Sequence, residues 1–125
     1  MKIGLLDDSV QFREMMEEFL IDAGHDVSGY DKLPNESMIA DLFLIDWNLG
    51  GVTSEEAIRQ LRSSNPDSII WILTGSLLLP DLKKKMTNTG ANGVLGKPID
   101  PDDLLTLLQH IENDQWKDSK LMHKL

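Results

Sequence analysis

The feature that most constrains the fold of this chain is a series of short apolar runs separated by segments with helical periodicity. The run Leu42–Ile45 is apolar at every position, which is typical of a strand buried on both faces of a sheet. Alternation of such strands with helices predicts an α/β fold, in which a parallel sheet carries helices on both faces. Five strands are predicted, at Lys2–Leu6, Asp26–Gly29, Leu42–Ile45, Ile69–Leu73 and Gly93–Gly96.

The sequence predicts a clear helix between the first and second strands but only a weak one between the second and third. After the first strand, apolar residues from Phe12 to Ala23 fall on one helical face, and either Asp8 or Ser9 can serve as the N-cap. The segment between the second and third strands is short, poorly periodic and interrupted by Pro34. We therefore expect the second helix to be shortened to a turn or so.

Three more helices are predicted in the second half of the chain. Thr53 and Glu56 have the spacing of a capping box at the start of the third helix. The fourth helix is expected to begin at Pro80, and the last one at Asp100 as N-cap followed by Pro101. Right-handed crossovers would then arrange the strands in the order 2-1-3-4-5, a doubly wound flavodoxin-like sheet with about five helices.

Length and composition indicate a single domain. A chain of 125 residues can bury its own core, and we assign residues 1–115 to the domain. Residues 116–125 are expected to extend the last helix or to form a linker stub. No apolar run reaches the roughly 18 residues of a membrane span. We expect no signal peptide, because the sequence as given enters a strand-like run directly.

Charge and cysteine content narrow the class of function. The chain has no cysteine, which excludes disulfides and thiolate metal sites and suits a cytoplasmic location. Its formal charge of −9 repels nucleic acid, so we expect no direct binding to DNA or RNA and no membrane association.

Four of the five predicted strands end on polar residues that can carry chemistry. Ligands of open α/β sheets bind at the carboxyl ends of the strands, so these side chains are expected to meet. Taken singly, each has a simpler explanation, as a helix cap, a turn former, a strand residue or a surface lysine. Their common position at strand ends favours one shared site. The residues are Asp7, Asp8, Asp46, Thr74 and Lys97.

Three carboxylates that converge at one point repel one another unless a cation is bound. Mg²⁺ suits them because it prefers hard oxygen ligands and keeps waters and phosphate oxygens in its shell. Asp8 and Asp46 are expected to bind the metal directly, and Asp7 through water. The backbone carbonyl of Asn48 is a further candidate ligand.

A carboxylate beside Mg²⁺ can act as a nucleophile toward phosphorus and form an acyl phosphate. In this interpretation the site handles a phosphoryl group on Asp46. Lys97 supplies a cation for the charge on the transferring oxygens, and the Thr74 hydroxyl supplies a hydrogen-bond donor.

These motifs together resemble the receiver domain of two-component response regulators. The resemblance runs from about Met1 to Asn113, and the triplet Asp46-Trp47-Asn48 is especially similar to single-domain chemotaxis receivers. The motifs that carry it are Asp7-Asp8 after the first strand, Arg13 in the first helix, Ile45-Asp46 ending the third strand, Thr74 ending the fourth, and Lys97-Pro98 ending the fifth.

The resemblance implies that Asp46 accepts a phosphoryl group from a histidine kinase or a histidine phosphotransfer protein, with Mg²⁺ as cofactor and self-catalysed loss of that group. The protein is then a signalling phosphoacceptor rather than an enzyme. It would act on a downstream protein partner, an effector domain or a second copy of itself. The resemblance also implies a cis peptide bond between Lys97 and Pro98. Kinase docking in the family makes candidate specificity positions of Gln11, Phe12, Arg13 and Ile99.

Three departures from the family pattern bear on the switch. Val94 stands where an aromatic switch residue is usual, so the switch formed with Thr74 is expected to differ from the aromatic one. Gly50 replaces the usual proline in the loop after the phosphoacceptor, which predicts a more mobile loop. The third departure is the shortened second helix.

Two other classes of function stay open. A non-switching interaction or dimerisation module would keep the fold and lose the switch, with Val94 as its sequence support. An enzyme or flavin binder on a similar fold fits the motifs less well. A haloacid-dehalogenase-type phosphatase would need aspartate where Asn48 stands, and a flavodoxin would need a Ser/Thr-rich phosphate loop where Asp7-Asp8 stands.

Overall fold

A mixed sheet forms the centre of the structure, a computed structural model that describes residues 1–49, 53–75 and 80–125. Over these ranges the sheet has six strands in the order β2-β1-β3-β4-β5-β6. The first five are parallel, and β6 runs antiparallel to β5. The strands are β1 Lys2–Leu6, β2 Asp26–Tyr30, β3 Leu42–Asp46, β4 Ile69–Thr74, β5 Gly93–Gly96 and β6 His123–Lys124. The predicted order is confirmed, and the predicted number of strands was one too low.

Helices cover both faces of the sheet, and each face has its own core. The helices are α1 Val10–Asp22, α2 Ser54–Ser64, α3 Pro80–Thr87 and α4 Pro101–His110. Alternate strand residues point to opposite faces, so Leu44 packs with α1 and α4 while the adjacent Ile45 packs with α2 and α3. The continuous apolar pattern of the central strands follows from this double burial.

The helix starts agree with the cap residues in the sequence. The Ser9 side chain accepts a hydrogen bond from the Phe12 N–H, which identifies Ser9 rather than Asp8 as the cap of α1. Thr53 accepts from the Glu56 N–H at α2. Asp100 caps α4 and is followed by a proline in the first turn.

The expected second helix is absent: the described segment between β2 and β3 contains no helix at all. A different set of contacts holds this segment. Met38 and Ala40 are buried in the α2–α3 core, and the Asn65 side chain donates to the Met38 carbonyl at 2.8 Å and accepts from the Ala40 N–H. With Pro34 interrupting the segment, these contacts substitute for helical hydrogen bonds.

The last ten residues are neither a helical extension nor a linker stub. A 3₁₀ turn at Gln115–Asp118 reverses the chain, and β6 then pairs with the outer edge of β5. Trp116 is only 2% exposed and packs edge-to-face on Trp71, with ring centroids 5.7 Å apart. Met122 packs against Gly93, where a Cβ atom would collide with its sulfur. The tail is mostly polar in sequence, and its position is set by two buried side chains, Trp116 and Met122.

Arg62 connects the loops that precede β4 and β5, at the end of the sheet opposite the predicted site. Its guanidinium donates to the carbonyls of Asn65, Pro66 and Ser68, and to the side chain of Asn92 at 2.7 Å. Burial lowers the pKa of Arg62, the nearby Asp67 acting in the opposite direction. Within the described ranges, no helix is long and apolar enough to cross a membrane.

Candidate functional site

The strand topology brings the predicted site residues to one edge of the sheet. β1, β3, β4 and β5 are adjacent and parallel, so the residues after their carboxyl ends are neighbours. Asp46 is in register with Leu73, and Thr74 with Gly96, which directly precedes Lys97. β2 lies at the far edge and contributes no side chain to this set.

Three carboxylates and one ammonium group form the centre of the site. One oxygen from each of Asp7, Asp8 and Asp46 lies within 4.8 Å of the others. Asp7 is fully buried and Asp46 is 5% exposed, whereas Asp8 is open to solvent. Lys97 Nζ is 2.7 Å from Asp7 Oδ2 and 3.6 Å from Asp46 Oδ1. The lysine therefore bridges the two buried carboxylates.

The surroundings of Asp46 oppose its ionisation on balance. Burial is the main cause that raises its pKa above the usual value of 3.8, while the Asn48 N–H, which donates to Oδ1 at 3.2 Å, lowers it. The charge of Asp7 raises the pKa further, Lys97 lowers it, and Asp8 adds a smaller increase. A buried carboxylate with excess negative charge nearby is a ready partner for a cation.

Local hydrogen bonds fix the side chain and the backbone of Asp7. The Ser9 N–H donates to Asp7 Oδ1 at 2.9 Å, and Arg13 donates from its guanidinium to the Asp7 carbonyl at 2.8 Å. Arg13, which carries part of the family resemblance, thus contacts the site from α1.

Ser54 is a site residue that the sequence analysis missed. Its buried hydroxyl lies 2.8 Å from the Asp46 carbonyl and 2.6 Å from the Trp47 carbonyl, and it accepts from the Leu49 N–H. It therefore fixes the start of the loop after β3. The available signal was a hydroxyl residue at the first position of α2, directly after the Thr53 cap.

The structure tests only some of the predictions made for the phosphoryl group and the switch. The Lys97–Pro98 peptide bond is cis, as predicted. Thr74 is buried at the end of β4, and Val94 is 1% exposed in the core under α2 and α3. Val94 also faces His123 of β6 across the sheet edge. The roles of Thr74, Val94 and the Asn48 carbonyl stay predictions, and Gly50 lies outside the described residues.

A cleft beside the carboxylates gives the site its access from solvent. Its volume is about 380 Å³. It is lined by Asp8, Trp47, Asn48, Leu49, Thr53, Ser54 and Glu55. Among the described residues, the ligand atoms that converge here are carboxylate oxygens, without thiol or imidazole, which suits a hard divalent cation such as Mg²⁺.

Comparison with known proteins agrees with this fold. The family model of the response regulator receiver domain matches residues 3–109. The structure is similar to the chemotaxis response regulator CheY4 of Vibrio cholerae, with 29% sequence identity, a TM-score of 0.74, and coverage of 88% of this chain and 97% of that one. It is also similar to a response regulator protein from Burkholderia pseudomallei, at 21% identity and a TM-score of 0.74, over 94% of this chain and 72% of that one.

A third relative is much longer than this chain. A cyclic di-GMP phosphodiesterase from Thermotoga maritima is 24% identical over 113 residues, which are 88% of this chain and 30% of that protein. The family match covers most of the chain and includes every strand end of the carboxylate site. This protein belongs to the response regulator receiver domain family.

Proposed function

We propose that the protein is a phosphoacceptor that takes a phosphoryl group from a histidine kinase or a histidine phosphotransfer protein onto Asp46. The observation that carries this proposal is the cluster of Asp7, Asp8 and Asp46 within 4.8 Å, with Lys97 at 3.6 Å from the Asp46 carboxylate. It supplies a nucleophile, three oxygen donors for a cation, and an ammonium group in one place.

The transfer conserves atoms and charge without another reactant. An Asp46 carboxylate oxygen forms a bond to phosphorus while the bond from phosphorus to the donor's imidazole nitrogen breaks. The electron pair of the broken bond stays on that nitrogen, which takes up a proton from water. Asp8 and Asp46 would hold Mg²⁺ directly, with Asp7 beside them. Bound there, Mg²⁺ would neutralise charge on the phosphoryl oxygens.

The chain's own groups serve the remaining needs of this reaction. Lys97 is placed to pair with a phosphoryl oxygen, because its ammonium already lies near Asp46. Ser54 and the Asn48 N–H hold the Asp46 segment in position. Thr74 would donate its hydroxyl to the phosphoryl group, and water would later release that group by attack on phosphorus. The reported structure of the Burkholderia pseudomallei protein has a phosphorylated aspartic acid and a calcium ion, which supports this assignment.

In this proposal the protein acts in cytoplasmic signalling and passes its state to a downstream protein or effector domain, or to a second copy of itself. Its turnover is limited to its own phosphorylation and dephosphorylation, so we do not class it as an enzyme. The proposal does not extend to cyclic di-GMP hydrolysis, which belongs to a relative of which this chain spans 30%.

The direct test is labelling by a small phosphodonor. Incubation with acetyl phosphate and Mg²⁺ should add one phosphoryl group to the intact protein, and peptide mapping should locate it on Asp46. Asp46→Asn and removal of Mg²⁺ by a chelator should each abolish the labelling. Labelling of wild type that does not depend on Mg²⁺ or on Asp46 would contradict the proposal.

Fluorescence provides a second test, because Trp47 lines the cleft. Addition of Mg²⁺ and then beryllofluoride should change the emission of wild type. Trp47→Phe is the control, since Trp71 and Trp116 remain and are buried away from the cleft. A signal that is unchanged in Trp47→Phe would come from elsewhere in the protein.

The second candidate is a non-switching interaction or dimerisation module. Val94 favours it, because a buried valine paired across from β6 cannot perform an aromatic rotamer change. This candidate predicts that partner binding or self-association is the same in wild type and Asp46→Ala. The phosphoacceptor proposal predicts instead that partner binding or self-association differs between wild type with beryllofluoride and Asp46→Ala.

A further inference from the structure

The aromatic ring of Phe12 lies against the lysine of the site. Lys97 Nζ is 4.2 Å from the centre of the ring, within the roughly 6 Å over which an aromatic face attracts a cation. The same ammonium group contacts Asp7 at 2.7 Å and Asp46 at 3.6 Å. The lysine side chain is 23% exposed. Two carboxylates and one aromatic face therefore define where the ammonium lies.

The ring and the carboxylates hold the ammonium in different ways. A carboxylate accepts an N–H hydrogen bond and would have to share it when a phosphoryl group arrives. The ring attracts the charge through its quadrupole, which leaves N–H donors available for phosphoryl oxygens. A lysine side chain has a flexible four-carbon stem, so a fixed surface on one side restricts its ammonium to fewer positions.

We propose that Phe12 is a positioning residue, whose ring holds the Lys97 ammonium beside Asp46 so that it is in place for the incoming phosphoryl group. This inference rests on the proposed function of Asp46. Phe12 acts through Lys97 and touches no reacting atom.

The simpler alternative is that Phe12 only fills the core. It is partly buried and packs on the core cluster shared by α1 and α4. Phe19, about two turns further along the same helix, does the same. Among the described contacts, the ring of Phe12 lies against the Lys97 ammonium, whereas the ring of Phe19 contacts no ammonium group. Phe19→Leu is therefore a matched control for lost ring volume in α1.

The first experiment detects the contact itself and needs no phosphoryl chemistry. In carbon-13-labelled wild type, the ε-methylene protons of Lys97 should be shifted upfield of those of the other lysines, because they lie near the face of the ring. Phe12→Leu should remove the shift, whereas Phe12→Tyr and Phe19→Leu should keep it. A Lys97 signal in wild type that matches the exposed lysines would overturn the inference, whether or not any variant folds.

The second experiment measures the consequence for ligand binding. Beryllofluoride is titrated at saturating Mg²⁺, with Trp47 fluorescence as the readout. Phe12→Leu should weaken apparent affinity by about three- to tenfold, the size expected for loss of one partly exposed cation–π contact. Phe12→Tyr should restore the wild-type value, and Phe19→Leu should leave it unchanged.

The possible outcomes separate the two proposals. If wild type responds to beryllofluoride and Phe12→Leu binds it equally well, the positioning role is refuted and the phosphoacceptor function stands. If Phe12→Leu and Phe19→Leu weaken binding equally, Phe12 is a core residue. If wild type does not respond at all, the proposed function fails, and the role of Phe12 fails with it.

Discussion

Replacement of the proposed phosphoacceptor by its neutral isostere should stabilise the fold. Asp46 is 5% exposed and its pKa is raised, first by burial and further by the charges of Asp7 and Asp8. Asp46→Asn removes the buried charge and keeps a side-chain oxygen for the Asn48 N–H. Lys97 also keeps its closer partner, Asp7, at 2.7 Å.

The magnitude follows from the distances around Asp46. At an effective dielectric constant of about 20, Asp7 at no more than 4.8 Å repels Asp46 by at least about 3.5 kcal/mol, and Lys97 at 3.6 Å attracts it by about 4.6 kcal/mol. These two opposing terms largely offset each other. What remains is the cost of burying the charge, plus a contribution from Asp8 that solvent screens. We expect Asp46→Asn to raise the free energy of unfolding by about 1–2 kcal/mol, within the usual range of stabilising substitutions at strained sites.

The assay is urea unfolding at neutral pH without divalent cations, followed by circular dichroism. Glu36→Gln is the control, because it changes the net charge by the same amount at an exposed position. The sign of the pH dependence is also defined. A raised pKa in the folded state makes ionised Asp46 destabilising, so the advantage of Asp46→Asn should be full at pH values above that raised pKa. It should shrink as the pH falls through the raised pKa of Asp46 toward 3.8.

Mg²⁺ should reverse the order of stability. At a concentration about 100 times its Kd, a ligand that binds only the folded state adds about 2.7 kcal/mol, and wild type should gain more than Asp46→Asn. If Asp46→Asn is less stable than wild type without metal, or gains as much from Mg²⁺, the electrostatic argument is wrong.

The remaining predictions concern residues that support the site and the fold, and urea unfolding checks each of them. Trp116→Ala should lower the free energy of unfolding by about 3–5 kcal/mol. Trp116→Phe should cost much less, because it removes an indole N–H that is buried without a partner in the described part of the chain. Arg62→Met should cost about 1–3 kcal/mol by leaving the acceptors of two part-buried hydrogen bonds, the carbonyls of Asn65 and Ser68, unpaired. Arg59→Met, which changes an exposed side chain, should be near neutral. Ser54→Ala should lower stability by about 1 kcal/mol and slow acetyl phosphate labelling of Asp46, and a normal labelling rate would refute the supporting role of its hydroxyl.

The sequence was sufficient for the five parallel strands and for the residues at their ends, but not for β6. Continuous apolar runs such as Leu42–Ile45 indicate double burial, and parallel strands place their carboxyl ends at one edge. The grouping of Asp7, Asp46 and Lys97 therefore follows from the sequence alone. The helix caps could also be predicted from the sequence, because an N-cap side chain accepts a hydrogen bond from a backbone N–H only two or three residues further along the chain.

Only the tertiary structure decided the features that depend on distant contacts. The missing helix after β2 depends on Asn65, and the position of the tail depends on Trp116 packing against Trp71. Neither contact has a local pattern, since the partners are separated by 27 and 45 residues in the chain. The same is true of the ring of Phe12 beside Lys97: periodicity assigns Phe12 to a buried helix face, and only the fold shows which charge that face meets.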